Sequence, residues 1–247
     1  MPWGVPDQPV KIAAWNVLSL ERGEQNVIDL LKQQDADVIM LSEVQNTQVQ
    51  RLAEATGLHA TFVEMLHSPE PMVHADASAR GCLLLTRWPM VNVTPLGHAT
   101  GGKYGVRADV IADGNRFTVA VVHLSATWKF SLSHLEESAV ARWKEIEHLM
   151  NDWRDRGQPP MIVAGDFNNL PVGDNYYNLT QTWTDIVKPF DDGNTFASGL
   201  IRTRIDYVFT SRDWQAANAG IVYTDASDHR MIHATLQASD AATTQPN

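Results

Sequence analysis

Short apolar runs that end in a polar side chain recur along this chain, and they restrict its possible folds more than any other feature. Met161 to Ala164 leads into Gly165-Asp166-Phe167-Asn168. Asp37-Val38-Ile39-Met40-Leu41 delivers Ser42-Glu43-Val44, Pro9 to Val17 carries Asn16 near its end, and Arg116 to Leu124 closes on His123-Leu124. Runs of this length, bounded by turn residues, read as strands, and the continuous ones as strands covered on both faces. Asp166 and Asn168 stand two positions apart, so in extended chain their side chains point the same way. One is a charged proton acceptor and the other an uncharged hydrogen-bond donor.

Helical spacing alternates with these strands. Glu24 to Gln34 places Val27, Ile28, Leu30 and Leu31 on one face, and Thr47 to Thr56 is a short helix closed by Gly57. Leu135 to Arg156 is the longest helix expected, with an apolar stripe of Val140, Trp143, Ile146, Met150 and Trp153 and with glutamates and arginines elsewhere. Leu58 to Glu64, Gly81 to Thr86, Ile205 to Thr210, Ala219 to Tyr223 and Met231 to Leu236 read as further strands. Asp113-Gly114-Asn115 between Val106–Ala112 and Arg116–Leu124 signals a tight hairpin. His67 to Arg80, Thr94 to Tyr104 and Ser125 to Ser133 read as loops. Alternating elements with at least one hairpin predict two packed mixed sheets with helices outside.

The chain has 247 residues, 44% of them hydrophobic, with no repeat and no linker-like stretch. That predicts one domain over 1–247, with a polar tail that frays from about residue 238. The single cysteine, Cys82, lies in an apolar run and reads as a small buried residue. No apolar run approaches the roughly 18 residues that span a bilayer. The first residues lack the basic and apolar regions of a signal peptide, and the compartment stays open between cytoplasm and exterior. Net charge is −10, unlike the basic stripe of a protein that tracks duplex DNA by electrostatics alone. Bound divalent cations reverse a local field, so a phosphate substrate stays compatible with that balance.

The polar residues at strand ends are Asn16, Glu43, His123, Asp166, Asn168, Asp206, Asp228 and His229. Singly, each has an ordinary reading as a turn or solvated strand end. Gathered at one edge, they would form an acidic pocket with two histidines, suited to one or two Mg²⁺ or Mn²⁺ ions. Zinc is disfavoured, since no His-x-x-x-His or cysteine pair occurs near them. His67, His74 and Asp76 are too irregularly spaced to suggest a second centre.

Taken in order, Asn16, Leu41-Ser42-Glu43-Val44, His123-Leu124, Gly165-Asp166-Phe167-Asn168, Arg204-Ile205-Asp206-Tyr207 and Ser227-Asp228-His229 resemble the motifs of the endonuclease/exonuclease/phosphatase superfamily, the DNase I-like proteins. The likeness covers residues 10 to about 236. It implies a four-layer α/β sandwich, two packed mixed β-sheets flanked by helices, and metal-dependent cleavage of a phosphate ester. By resemblance, Glu43 would bind Mg²⁺ or Mn²⁺, with Asn16 beside it and Asp228 in the metal region. Asp166 would activate the attacking water, and Asn168 and His123 would hold phosphate oxygens. His229 would contact the phosphate, with Asp206 fixing its ring and favouring its protonated form. Many members add a tyrosine or arginine before the histidine motif, and Tyr104 and Arg107 lie in that region. Trp128, with Lys129 and Phe130, would meet the organic part of a substrate, and Arg202 and Arg204 its phosphate. The leading expectation is a nucleic-acid phosphodiesterase. A phospholipid or small organic phosphate is the alternative substrate, and a non-catalytic binding module the third reading.

Overall fold

The computed structural model describes residues 1–65, 80–97, 102–127 and 132–240, apart from the side chains of Leu132 and His134. Two six-stranded sheets face each other. The first contains β1 (Val10–Asn16), β2 (Val38–Gln45), β3 (His59–Glu64), β4 (Arg80–Thr86), β13 (Trp214–Val222) and β14 (Met231–Ala238), in the order β13-β14-β1-β2-β4-β3. The second contains β5 (Met90–Gly97), β6 (Lys103–Ala112), β7 (Asn115–His123), β8 (Met161–Asp166), β9 (Thr184–Asp185) and β12 (Asp206–Thr210), in the order β5-β6-β7-β8-β12-β9. A small hairpin of β10 (Phe196–Ser198) and β11 (Ile201–Thr203) stands apart from both. Helices α1 (Glu24–Gln34) and α2 (Val49–Thr56) flank the first sheet, and α3 (Leu132–Asp155) and α4 (Asp174–Thr182) the second.

Three apolar layers separate these four layers. Between the sheets lie Val10, Ile12 and Ala14 of β1, Val119 and Val121 of β7, Ile162 and Ala164 of β8, and Val208 of β12. Ala120, Val122, Val163 and Phe209 pack outward with Ile146 and Leu149 of α3 and Leu179 of α4. Ala13, Ile39 and Leu41 pack outward with Val27, Ile28 and Leu31 of α1 and Leu52 of α2. Successive strand residues face opposite layers, so the central face of each strand can be followed to its end. It reads Val10-Ile12-Ala14-Asn16 in β1, Val119-Val121-His123 in β7 and Ile162-Ala164-Asp166 in β8. At one edge of the sandwich, the face that is apolar inside turns polar.

Register fixes that edge. β7 and β8 run parallel with His123 opposite Asp166, and β12 runs antiparallel with Asp206 also opposite Asp166. In the first sheet, β1 and β2 run parallel with Asn16 opposite Ser42. The expected hairpin joins β6 to β7, with Ala112 opposite Asn115. Asp113 and Gly114 both have positive φ, 51° and 80°, as a two-residue turn of the primed type needs.

Several expectations need correction. Thr94 to Tyr104 is not one loop: β5 runs to Gly97 and β6 starts at Lys103. Pro95 hid this strand, but β5 is an edge strand, where a missing N–H leaves no ladder bond unmade. In the stripe of α3, Ile146, Met150 and Trp153 are buried with Trp143 against them, but Val140 is exposed and Leu149 takes a buried place. Arg142 and Glu145 on that helix are buried rather than solvated. At the start of the expected tail, Ala238 still pairs with Trp214 and the Ser239 amide donates to the Asp213 carbonyl at 2.8 Å. α4, β9 and the β10–β11 hairpin had no counterpart in the sequence reading. Residues 66–79, 98–101, 128–131 and 241–247, including His67, His74, Asp76 and Trp128, lie outside the described residues.

Gly165 precedes Asp166 with φ of 137°, and a Cβ there would overlap the Val122 carbonyl oxygen of the neighbouring strand. Gly114 also has positive φ but open space around it. Gly165→Ala is therefore expected to cost about 3 kcal/mol or more, through both backbone strain and displacement of β7. Gly114→Ala should cost only about 1 kcal/mol. Urea unfolding of the two variants checks the order, and equal losses would contradict it.

Candidate active site

The polar edge gathers Asn16, Glu43, His123, Asp166, Asp206 and His229 into one cluster. The Asn16 side-chain amide is its hinge, donating from Nδ2 to Glu43 Oε1 at 2.9 Å and to Asp166 Oδ2 at 3.2 Å. The same nitrogen lies 3.5 Å from His229 Nε2. Asp166 Oδ2 faces His123 Nε2 at 3.6 Å and His229 Nε2 at 3.7 Å. Its other oxygen, Oδ1, accepts the Asn168 backbone N–H at 2.8 Å. His229 Nδ1 meets Asp206 Oδ2 at 2.9 Å. Asp206 Oδ1 is buried with no hydrogen-bond partner among the described residues. Asp166, Asp206 and His229 each offer a ligand atom, all within 4.8 Å of one another, so this buried group could hold a metal ion.

Glu43 reaches the cluster by a backbone irregularity. In β2, Val38 and Met40 face the central layer while Ile39 and Leu41 face α1 and α2. Simple alternation would send Glu43 toward the helices. The β2–β4 register shifts between Leu41 and Val44, and Glu43 has φ of 56°. A bulge of this kind re-aims one side chain and is common beside active sites. The neighbouring turn Leu18–Leu20 has three successive positive φ values, 46°, 52° and 59°. Ser19 Oγ donates to the Glu43 carbonyl at 3.1 Å, and Gln48 Nε2 donates to the Ser19 carbonyl at 2.7 Å.

The cluster's charges control one another. Burial by itself would push the His229 imidazole down, but the carboxylates of Asp206 and Asp166, the hydrogen bond to Asp206 and the charge of Asp228 raise it to about 10. Burial pushes the Asp206 carboxyl above the usual range, opposed by His229. Burial would also raise Glu43, yet His123, the Asn16 amide, Arg80 and His229 outweigh it and hold that carboxyl below its ordinary value. The pocket thus presents an imidazolium and an ionised glutamate at neutral pH.

Other expected site residues are placed differently. Asn168, φ 48°, turns its Nδ2 onto the Leu124 carbonyl at 3.0 Å. Asp228 is half-buried, and its Oδ1 is 3.3 Å from Ser227 Oγ. Tyr104, Arg107 and Arg204 are not brought to the cluster, which corrects their expected substrate-binding role. The Tyr104 hydroxyl meets the Glu145 carbonyl at 3.1 Å and His148 Nδ1 at 2.7 Å, in the layer under α3. Arg107 pairs with Asp152 of α3 at 2.7 Å. Arg204 makes a buried fork to both oxygens of Asp185 at 2.8 Å. All three guanidinium or phenol groups are committed to the outer layer of the second sheet. Trp128 is outside the described residues, and Arg202 is exposed on β11.

Residues that the sequence reading passed over complete the site. Arg80 Nη1 donates to Glu43 Oε2 at 2.9 Å. Buried Thr195 accepts on Oγ1 from the Ile205 and Asp206 backbone N–H groups, both at 3.0 Å. Ser227 Oγ donates to the Asn16 carbonyl at 2.8 Å and accepts the His229 N–H at 3.1 Å. Trp15 Nε1 donates to the His229 carbonyl at 2.9 Å. Buried Glu145 holds the segment after His123, accepting from the Ser125 N–H at 2.9 Å and hydroxyl at 2.7 Å, while Arg142 Nη1 donates to the Ser125 carbonyl at 3.0 Å. Only the i, i+3 spacing of Arg142 and Glu145 on one helix face hinted at this clamp.

Residues 13–229 match the Endonuclease/Exonuclease/phosphatase family, and the chain belongs to it. That family consists of hydrolases acting on phosphoester bonds. No curated protein matches the chain. Among solved structures it resembles the human Nocturnin catalytic domain with bound sulfate, at TM-score 0.74 and 20% identity, covering 96% of each chain. An endonuclease/exonuclease/phosphatase from Beutenbergia cavernae gives TM-score 0.72 and 19% identity over 94% of this chain and 72% of the other. The 3' phosphatase NExo from Neisseria, bound to a product DNA hairpin, gives TM-score 0.69 and 15% identity over 93% and 99%. These likenesses show the DNase I-like fold. No helix among the described residues is long and apolar enough to cross a membrane.

Because the folded value of His229, about 10, lies above the 6.5 of a free imidazole, its contribution to stability is complete below about pH 6.5 and is lost as pH rises through about 10. The His229 ring should therefore stay protonated from pH 7 to 9 in NMR titrations. Asp206→Asn should bring its titration down by at least a unit and flatten the loss of stability above pH 9. An unmoved ring titration would remove Asp206 as its cause.

Proposed function

We propose that the protein is a divalent-cation-dependent hydrolase of phosphate esters, with nucleic acid as its substrate. The observation that carries this reading is one buried amide, Asn16, joining a Glu43 carboxylate to an Asp166 carboxylate beside a protonated His229. A hard cation prefers carboxylate oxygen. Glu43 and Asp166 would hold it in preference to His229, because an imidazolium has no lone pair to give. When bound, Mg²⁺ or Mn²⁺ would neutralise negative charge on the phosphate and on the departing oxygen.

The chain's own groups divide the remaining work. Asp166, fixed by the Asn168 N–H on one oxygen and the Asn16 amide on the other, takes the proton of the attacking water. His229 donates a hydrogen bond to a phosphate oxygen as charge grows there. Asp206 keeps the ring charged and aimed. His123 and the second N–H of the Asn168 amide, whose first is on the Leu124 carbonyl, supply further donors, and neither adds a negative charge to repel the water's developing hydroxide. The structural neighbour bound to a DNA hairpin supports a nucleic-acid ester.

A second reading, a phospholipid headgroup ester, is favoured by exposed apolar residues on loops leaving the site. Leu170 and Val172 follow Asp166 by a few residues, and Leu200 tips the hairpin whose Phe196 bridges to His229.

Incubation with plasmid, single-stranded DNA, RNA, 3'-phosphorylated oligonucleotide, sphingomyelin and inositol phosphates in Mg²⁺ should give turnover on a nucleic acid. EDTA should abolish it and added Mg²⁺ restore it. Turnover on sphingomyelin alone would select the second reading, and none on any ester would reject both. Asp166→Asn should lower kcat on the order of 10³-fold with the folded circular-dichroism spectrum retained. Unchanged kcat would exclude Asp166 as the base.

A further inference from the structure

Arg80 opens β4 opposite Gln45 of β2, two residues beyond Glu43. Its guanidinium is shared between two carboxylates. Nη1 donates to Glu43 Oε2 at 2.9 Å and Nη2 to Glu21 Oε1 at 2.8 Å. With Asn16 on Oε1 and Arg80 on Oε2, both oxygens of Glu43 are engaged. A cation taking this carboxylate competes with these donors for its lone pairs and, with Arg80, for its charge. Asn16 is wholly buried and tied at its carbonyl by Ser227. The Arg80 side chain is 26% exposed, on a long flexible stem, and its outer partner Glu21 is 53% exposed. Arg80 is the donor that can yield.

The guanidinium is linked to Asp166 through Glu43 and Asn16, so it stands at the border of the cluster. Its planar fork matches two oxygens of a phosphate. We propose that Arg80 grips the substrate phosphate at this site, and that it is released for that task when a divalent cation takes Glu43. This rests on the hydrolase reading above and fills the cationic role that the sequence had given to Arg107 and Arg204, both locked in buried ion pairs elsewhere.

The exchange makes two affinities move in opposite directions. Calorimetric titration of the full chain with Mn²⁺ alone should show about tenfold tighter binding in Arg80→Gln, because the competing donor is gone. Inorganic phosphate titrated into the Mg²⁺-saturated protein should bind about tenfold more weakly in the same variant. Arg80→Lys keeps the charge without the fork, so its phosphate affinity should fall between the two, and it carries the test if Arg80→Gln does not fold. Mn²⁺ affinity that is unchanged or weaker in Arg80→Gln would show that Arg80 merely holds Glu43 in place and would overturn the proposal. So would an unchanged phosphate affinity. If the wild-type protein binds neither Mn²⁺ nor phosphate, the hydrolase reading falls too. If it binds both and the variants match it, only the assignment of Arg80 falls.

Discussion

The hydrogen bond from Asn16 to Asp166 crosses from one sheet to the other at the rim of the central apolar layer, and the site is built on it. Asn16 ends β1 in the first sheet, and Asp166 ends β8 in the second. Two carboxylates facing each other in a buried cleft would repel. A single neutral amide donating to both makes their proximity tolerable without cancelling either charge. The bond requires that the two sheets pack at one depth and that β1 and β8 terminate at the same level. The apolar side chains between them, from Val10 and Ile12 to Ile162 and Val208, set that depth. Core packing and active-site geometry are therefore one requirement: a change of volume between the sheets alters the distance across which Asn16 must reach.

Much of this was legible in the sequence, for a simple reason. Along β1, β7 and β8, which are covered on both faces, the residues facing the central layer end on Asn16, His123 and Asp166. A continuous apolar run identifies such a strand, and the strand's period of two then says which way its last side chain points. What could not be read depends on contacts across the chain. Glu43 falls out of phase and is returned to the cluster by a bulge whose presence depends on the partner strand. Arg107 and Arg204 look like available cations in one dimension. Each instead meets an acid from an outer helix or edge strand, Asp152 or Asp185, that folding brings to it. Pro95 looked like a loop residue because its missing N–H matters only if the strand has a neighbour on that side. Arg80 reads as the end of a polar segment until β4 pairs with β2.

Backbone strain is concentrated where the chemistry is. Leu18, Ser19, Leu20, Glu43 and Asn168 all have positive φ, and all adjoin the cluster. Each such residue costs of order 1 kcal/mol and persists only if its surroundings enforce it. Here the enforcement can be named: the Ser19 hydroxyl on the Glu43 carbonyl, the Gln48 amide on the Ser19 carbonyl, and the Asn168 amide on the Leu124 carbonyl. Leu124 is in turn held beside Ser125, which Glu145 and Arg142 clamp from α3. Helix α3 thus acts on the site through hydrogen bonds although none of its described residues stands in the central cluster. Strain held this way limits the rotamers open to Glu43 and Asn168 before any substrate arrives, which is the condition for electrostatic stabilisation without reorganisation.

The acidity of the chain, −10 overall, and a phosphate substrate are reconciled at short range. Charges on the outer surface are screened within about 10 Å in ordinary salt, whereas those in a buried cleft are not. On the hydrolase reading proposed above, the phosphate would meet the imidazolium of His229, the guanidinium of Arg80 and neutral amides. The carboxylates of Asp206 and Asp166 keep that imidazolium charged. His229 is protonated because Asp206 and Asp166 surround it. Glu43 is ionised because His123, Asn16, Arg80 and His229 favour its anion over the effect of burial. Remove those acids and the His229 ring loses what opposes its burial. The acidic residues at the strand ends are thus the reason that an imidazolium stays charged in a buried cleft of this protein.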